Sequence, residues 1–119
     1  FDADRKGLRQ IATESRALAQ RVREGTISPP ELSGGTFTVS NLGMYGVDAF
    51  LAVLNPPQAA ILAVGRIVEK IVPRDGAPAV RPTLTLSVSF DHRVVDGARG
   101  AEFLDTLASL VEEPAGLVA

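Results

Sequence analysis

The only histidine of the chain, His92, stands in the stretch SFDHRVVDG at residues 89–97, with Asp91 directly before it and Asp96 four residues after it. An imidazole has an ordinary pKa near 6.5, so it can accept a proton at neutral pH. A neighbouring carboxylate, Asp91 or Asp96, could hold the ring or favour its charged form. The spacing therefore allows a general base at residue 92. A lone histidine is more often an ordinary packed or surface residue, and these residues alone name no reaction.

The composition disfavours several other kinds of site and partner. The chain has no cysteine, which excludes disulfides, thiolate zinc sites and a cysteine nucleophile, and one histidine argues against a histidine-rich metal site. We therefore expect no metal. With 12 Lys plus Arg against 14 Asp plus Glu, the net charge of -2 gives no reason to expect nucleic acid or an anionic membrane as partner. No apolar run reaches the length of a membrane span and no leader is present, although a chain that begins with Phe1 is expected to be a piece of a longer protein.

The strand and helix that would position His92 can be read from the pattern on either side of it. Leu84, Leu86, Val88 and Phe90 alternate with Thr and Ser, which predicts a strand with one buried face. After Gly97, apolar residues recur at helical spacing through Val111. Asp96 directly precedes this helix, so it is a candidate N-cap. His92 therefore lies at a strand-to-helix junction, where side chains are well anchored.

The remaining elements give an order of helix, strands and helix. Apolar spacing predicts a helix from Asp4 to Gly25, and Ser28 with Glu31 forms a capping box for a single turn. Alternation over residues 36–40 predicts a strand. The 24 residues from 49 to 72 are mostly apolar and are divided by Asn55-Pro56-Pro57 into two extended segments, the second of which we expect to be buried on both faces. PRDGAPAV at 73–80 is expected to be a loop, with Asp75-Gly76 as its tight turn. This order predicts an α+β fold with a mixed or antiparallel sheet.

The balance of apolar residues leaves two interpretations open. Apolar residues make up 45% of the chain but aromatic residues only 5%, and the mean hydropathy is positive. A small domain leaves a large share of its surface in water, so such a sequence could place apolar surface against a partner. The other interpretation is a valine-rich core.

Four blocks of sequence carry a family resemblance. They are DADRKGLRQIA at 2–12, GGTFTVSNLGMYGVDAF at 34–50, NPPQAAILAVG at 55–65 and TLTLSVSFDHRVVDGARGAEFL at 83–104. Each resembles, in the same order, the dihydrolipoyl acyltransferases, the core enzymes of the 2-oxo acid dehydrogenase complexes. The blocks look most like the acetyl-transferring branch of pyruvate dehydrogenase, and the succinyl and branched-chain branches are similar.

The resemblance implies roles for three residues. His92 matches the general base that takes the proton from the thiol of coenzyme A, or of dihydrolipoamide in the reverse direction. Ser40 matches the hydroxyl that donates a hydrogen bond to the tetrahedral oxyanion. Asp96 matches the aspartate that fixes the site geometry, which we expect it to do through a charged partner. Coenzyme A and lipoamide are thus implied as substrates and carriers, with no lipoyl group attached to this chain; the resemblance does not identify the residues that bind them. Without the resemblance, Ser40 is merely a strand residue that could face solvent.

The resemblance also implies an architecture. It predicts the two-layer α+β sandwich of chloramphenicol acetyltransferase, with a mixed sheet and helices on one face, of which residues 1–119 would form the C-terminal half. The lipoyl and subunit-binding domains would be absent. In the family the site lies between neighbouring subunits of a trimer, and trimers build a larger core that binds the other subunits of the complex. The implied compartment is the bacterial cytoplasm, which we favour, or the mitochondrial matrix.

Two other functions stay open on the sequence. A chain that resembles only half of a catalytic domain could be an assembly module without turnover. An acetyltransferase of the chloramphenicol type would share the fold and a histidine base but would accept a small-molecule hydroxyl. The blocks SNLGM and NPPQAAIL argue against this last alternative.

Overall fold

The computed structural model describes residues 1–118, which divide into two units. The first comprises residues 1–35 together with those from Asp105 onward, and the second comprises Thr36–Leu104. His92, Asp96 and Ser40 all belong to the second unit, so the geometry among them can be read directly.

The first unit contains helix α1, Leu8–Glu24, which ends as the sequence predicts. Gly25 adopts a left-handed backbone with φ 68°, and its amide donates to the last carbonyls of the helix. The predicted start at Asp4 is wrong, because Ala3–Arg5 form a separate 3-10 turn and the backbone of Gly7 is extended. Glycine favours the helix interior least among residues other than proline, which is consistent with the break. The capping box is confirmed: the Ser28 amide donates to Glu31 Oε2 at 2.9 Å, and one 3-10 turn follows.

Three strands of the second unit form a mixed sheet. Strand β2, Ala60–Val64, pairs in parallel with β1, Thr38–Asn41, and antiparallel with β5, Leu86–Phe90. The central strand supplies the buried apolar side chains Ile61, Leu62 and Ala63. The predicted α+β class and the mixed sheet are therefore confirmed. Of the side chains in the segment expected to be buried on both faces, only these three are buried, and Ile67 and Ile71 further along it are 69% and 75% exposed. The predicted single buried face of β5 is not found, since every residue of that strand is half-buried.

Strands β3, Val68–Arg74, and β4, Ala77–Thr83, form a separate antiparallel hairpin. The turn at Asp75-Gly76 is confirmed, with positive φ of 50° and 78° at its two central residues, as the commonest hairpin turn requires. The predicted loop is wrong, because the residues on both sides of that turn pair as strands. Proline is rare inside sheets, so Pro73 and Pro78 suggested a loop, yet they lie opposite each other in this two-stranded ribbon.

Helix α2, Gly97–Glu112, follows the junction that contains His92. The Arg99 amide donates to Asp96 Oδ1 at 2.9 Å, which confirms Asp96 as the N-cap. Close to the start of the helix, Gly100 is buried against the ring of Phe90. This contact thus fixes the first turn of α2 to the end of β5. His92 lies in the turn that connects these two elements.

Apolar side chains also lie at the surface of the second unit. Residues 47–55 form neither helix nor strand, and within them Leu51 is 83% exposed and Val53 is 88% exposed. On β1 the exposed apolar residue is Val39, whereas Ser40 is half-buried. The core of this unit therefore does not bury these apolar side chains.

Candidate functional site

The backbone around His92 forms a compact turn at the end of β5. The Asp91 amide donates to the carbonyl of Ala59 at 2.8 Å, which extends the pairing of β5 with β2 by one residue. The Asp91 carbonyl then accepts from the amides of Val94 and Val95 at 2.9 and 3.0 Å. Because the residues on both sides are held by these bonds, the position of the His92 backbone is well defined.

The side chain of Asp91 is paired with Arg93 rather than with His92. The Arg93 guanidinium donates to both carboxylate oxygens at 2.6–3.1 Å, and the Arg93 amide donates to Oδ1 at 3.0 Å. The side-chain hydrogen bonds from Arg93, followed by its backbone hydrogen bond, lower the pKa of Asp91 to about 2. A full positive charge in bidentate geometry is a stronger partner for a carboxylate than a neutral imidazole.

Asp96 does not hold the imidazole either, because its carboxylate caps α2. Within residues 1–118, therefore, neither of the two carboxylates that could hold the His92 ring does so. The charged partner expected for Asp96 is also not found within residues 1–118, where its side chain accepts from the Arg99 amide. The cap of the adjacent helix already provides a hydrogen-bond donor to this carboxylate, so it needs no charged partner.

The contact that His92 does make is with the ring of Phe90. The two ring centroids lie 6.0 Å apart and the planes are tilted by 38°. The imidazole is otherwise exposed, and in the described part of the chain it makes no hydrogen bond. The sequence pattern identifies Phe90 only as a strand residue and indicates no role for Arg93. The signal for Arg93 was its place two residues after Asp91, within reach of its carboxylate.

Ser40 lies at the opposite end of the sheet from His92. In register, Ser40 faces Ala63 on β2, whereas Asp91 bonds to Ala59, four residues earlier on the same strand. At about 3.3 Å per residue, this offset is about 13 Å along the strands, and two strand spacings add roughly 10 Å across them. One acyl carbonyl cannot reach both side chains of the same copy. The structure therefore does not bring the predicted base and the predicted oxyanion donor together.

Each end of the sheet also has a concave surface. Near Ser40, a pocket of about 560 Å³ is bordered by Asn41, Gly43 and Gly65. Near His92, a smaller apolar pocket of about 160 Å³ is bordered by Phe37, Phe90 and Phe103. The two ends thus differ in character, since the histidine end is lined by aromatic rings.

We predict that Arg93→Gln raises the pKa of Asp91 from about 2 towards its ordinary value of 3.8. The measurement is the carboxyl carbon shift of Asp91 against pH. A pKa lowered by folding stabilises the folded state above the ordinary value, and that contribution is lost as pH falls from about 4 through about 2. Arg93→Gln should therefore remove the pH dependence that Asp91 gives to stability in this range. Arg99→Gln is the control, because Arg99 pairs with Glu102 instead; an equal change there would contradict the assignment.

The described residues hold neither a metal site nor a membrane-spanning helix. No group of three or more histidines, aspartates or glutamates in residues 1–118 is placed to hold a metal ion. Neither α1 nor α2 combines the length and the hydropathy that crossing a bilayer requires.

Comparisons with known proteins give one consistent answer. The family model of the 2-oxoacid dehydrogenase acyltransferases, catalytic domain, matches residues 1–119. The chain is similar to component 3 of the dihydrolipoyllysine-residue acetyltransferase of the mitochondrial pyruvate dehydrogenase complex of Arabidopsis thaliana. The two are 48% identical over 120 residues, which are 98% of this chain and 22% of the relative.

Solved structures agree with the sequence match. One comes from a crystallographic and enzymatic study of a serine, a histidine and an asparagine in the catalytic mechanism of Azotobacter vinelandii dihydrolipoamide acetyltransferase. It matches with a TM-score of 0.85 at 37% identity, over 98% of this chain and 48% of that one. The cubic core of the pyruvate dehydrogenase multienzyme complex matches with a TM-score of 0.85 at 36% identity, again over 98% and 48%. The chain thus spans about half of each structure and less than a third of the Arabidopsis relative.

Proposed function

Because this chain belongs to the 2-oxoacid dehydrogenase acyltransferase family, and has the fold of its catalytic cores, we propose that it transfers an acetyl group between dihydrolipoamide and coenzyme A. One observation carries the proposal. Ser40, His92 and Asp96 are separated by fifty-two and four residues, and these are the intervals between the serine, histidine and asparagine studied in the Azotobacter enzyme. We infer that residues 1–119 form the C-terminal half of such a catalytic domain.

His92 acts as the general base in this proposal. A free thiol has a pKa of about 8.5 and only its thiolate attacks well, so a base that accepts the proton is needed at neutral pH. His92 takes the proton of the coenzyme A thiol, and the sulfur attacks the carbonyl of the acetyl thioester. The exposed imidazole at the end of β5 is accessible to such a thiol. When the tetrahedral intermediate collapses, the dihydrolipoamide sulfur leaves and takes the proton back from His92.

The oxyanion of that intermediate accepts a hydrogen bond from Ser40 of a second copy. Ser40 and His92 of one copy are too far apart for one carbonyl, as the register of the sheet requires. Both can act on one substrate only if two copies meet with these ends adjacent. A composite site of this kind agrees with a closed ring, in which each copy gives its histidine to one neighbour and its serine to the other.

The exposed apolar side chains support association. This small unit exposes several large apolar side chains, and exposing them to water is energetically unfavourable. They are Leu51, Val53, and Met44 and Tyr45, the last two 76% exposed each. We propose that they are covered by copies of this chain in trimers and a larger core, and by the other half of the domain. The match to a cubic core supports such an assembly. Mitochondrial and bacterial proteins both match, so the compartment is that of the complex in the source organism.

We predict that Asp96→Asn retains acetyl transfer within about tenfold, because asparagine caps helices as well as aspartate does and stands at the same interval in the Azotobacter enzyme. Asp96→Ala removes the acceptor for the Arg99 amide and should lower the free energy of unfolding by about 1 kcal/mol. Thermal unfolding and steady-state rates measure the two effects. Equal loss of activity in both variants, with stability unchanged, would show that the carboxylate charge itself is required.

The test of the function is acetyl transfer from acetyl-coenzyme A to free dihydrolipoamide by the assembled protein. Turnover that disappears in His92→Ala is the expected result. The second candidate, an assembly module without turnover, is favoured by the exposed apolar surface and by the match to only half of each core structure. A folded oligomer that transfers no acyl group would establish that candidate instead. Succinyl and branched-chain acyl-coenzyme A are the comparison substrates, and we expect acetyl to be preferred because the relative with the matching intervals is an acetyltransferase.

A further inference from the structure

Phe90 places its ring close both to the imidazole of His92 and to the buried glycine of α2. Its backbone is fixed by pairing with Ala60, and its ring contacts the His92 ring at 6.0 Å between centroids. The ring also lies against Gly100, where an added Cβ would be 2.4 Å from Phe90 Cε1 and 2.9 Å from Cζ. The ring is therefore confined by the backbone of the helix and is in contact with the imidazole.

The backbone of α2 gives no reason for a glycine at residue 100. Gly100 is inside a regular helix and does not have a positive φ, so an alanine could adopt its conformation. Alanine is also the better helix former. The Cβ of an alanine would, however, clash with the Phe90 ring, because real Cβ contacts do not occur at 2.4 Å. The glycine is thus explained by the position of that ring.

We propose that Phe90 is a positioning residue for His92, and that Gly100 keeps the Phe90 ring where it supports the imidazole; the proposal rests on the base role of His92. Within residues 1–118 neither Asp91 nor Asp96 reaches the imidazole, and the ring contact is the one side-chain restraint on its orientation. A base must be placed within hydrogen-bond reach of the proton that it takes, so its orientation directly affects the rate.

The apolar pocket of about 160 Å³ beside Phe90 makes the proposal testable. A Cβ at residue 100 would have to displace the ring by about 1 Å to reach ordinary contact. The pocket, which Phe37 and Phe103 also border, offers room for that displacement. We therefore expect Gly100→Ala to fold and assemble while the Phe90 ring, and with it the imidazole, changes position.

The experiment compares Gly100→Ala, Phe90→Leu and the double variant in the assembled protein. Since a misplacement of about 1 Å can cost 10²-fold in rate, we expect each single variant to lower kcat by about 10- to 100-fold, with KM changed less than about threefold. The double variant should be no slower than Phe90→Leu, because the shorter side chain leaves room for the new Cβ. Gly7→Ala is the control, since an added Cβ there meets no atom within 4 Å. Multiplicative losses in the double variant would overturn the proposal.

A second readout separates positioning from general loss of stability. The nuclear magnetic resonance signal of the His92 imidazole, assigned by its absence in His92→Ala, should shift in Gly100→Ala and in Phe90→Leu and stay unchanged in Gly7→Ala. An unchanged signal in Gly100→Ala would overturn the proposal whatever the rate. If His92→Ala itself kept full activity, the proposed base role would fail instead, so the two failures are distinguishable. Should Gly100→Ala not assemble, Phe90→Leu, which only removes volume, carries the same test.

Discussion

His92→Ala is expected to lower kcat for acetyl transfer by about 10³-fold or more. General base assistance contributes typically about 10²- to 10⁴-fold, and the same substitution removes the group that aligns the thiol. Substrate affinity should change far less, because the imidazole interacts with the thiol proton that is transferred and not with the rest of coenzyme A or dihydrolipoamide. Steady-state rates of the assembled protein, with gel filtration to verify assembly, measure the effect. Val94→Ala, in the same turn and 69% exposed, is the matched control; an equal loss there would mean that the turn, not the imidazole, is required.

The pH profile of the same reaction tests the protonation state. A general base must be unprotonated to accept a proton, so transfer should fall on acidification. Asp91 cannot produce this transition, because the hydrogen bonds from Arg93 hold its pKa at about 2. A flat profile from about pH 5 to 8, with chemistry shown to limit the rate, would remove His92 as the base.

Ser40→Ala is expected to lower kcat by about 10²- to 10³-fold, the usual loss when one donor to an oxyanion is removed. A larger change in rate is expected when Ser40→Ala is mixed with His92→Ala. Ser40→Ala and His92→Ala are each nearly inactive alone, yet equal amounts assembled together should recover about one quarter of the wild-type rate. Random assembly gives about that fraction of interfaces with an intact serine from one copy and an intact histidine from the next.

A second mixture excludes a site built within one copy. The double variant Ser40→Ala/His92→Ala is combined with an equal amount of the wild-type chain. A composite site should give about one quarter of the full rate, whereas a site within one copy would give about one half. Thr36→Ala, which is exposed and outside the site, is the control substitution for Ser40→Ala.

Local signals in the sequence predicted part of the site, and long-range pairing determined the rest. The N-cap at Asp96 and the turn at Asp75-Gly76 depend on residues a few positions apart, and both are found in the structure. The separation of Ser40 from His92 depends on β2 being parallel to β1 and antiparallel to β5, which no local pattern states.

The errors have equally physical causes. A carboxylate next to a histidine suggests a pair, but Arg93 competes for Asp91 with a permanent charge and two donors. The sequence shows Gly100 only as a glycine inside an apolar helix pattern and does not explain it. The explanation is the ring of Phe90, which belongs to another element.

The exposed segment at residues 47–55 has a consequence for the life of the protein in the cell. In the proposed assembly neighbouring copies cover Leu51 and Val53, so a newly synthesised copy would present these side chains to the surroundings until it assembles. Exposed apolar chain of this kind is what chaperones and degradative proteases recognise, and it aggregates at high concentration. Orphan copies should therefore be short-lived and assembled ones long-lived. The abundance of this protein would then be set by how fast copies find each other rather than by how fast they are translated, and a pulse-chase experiment would show two populations with different half-lives.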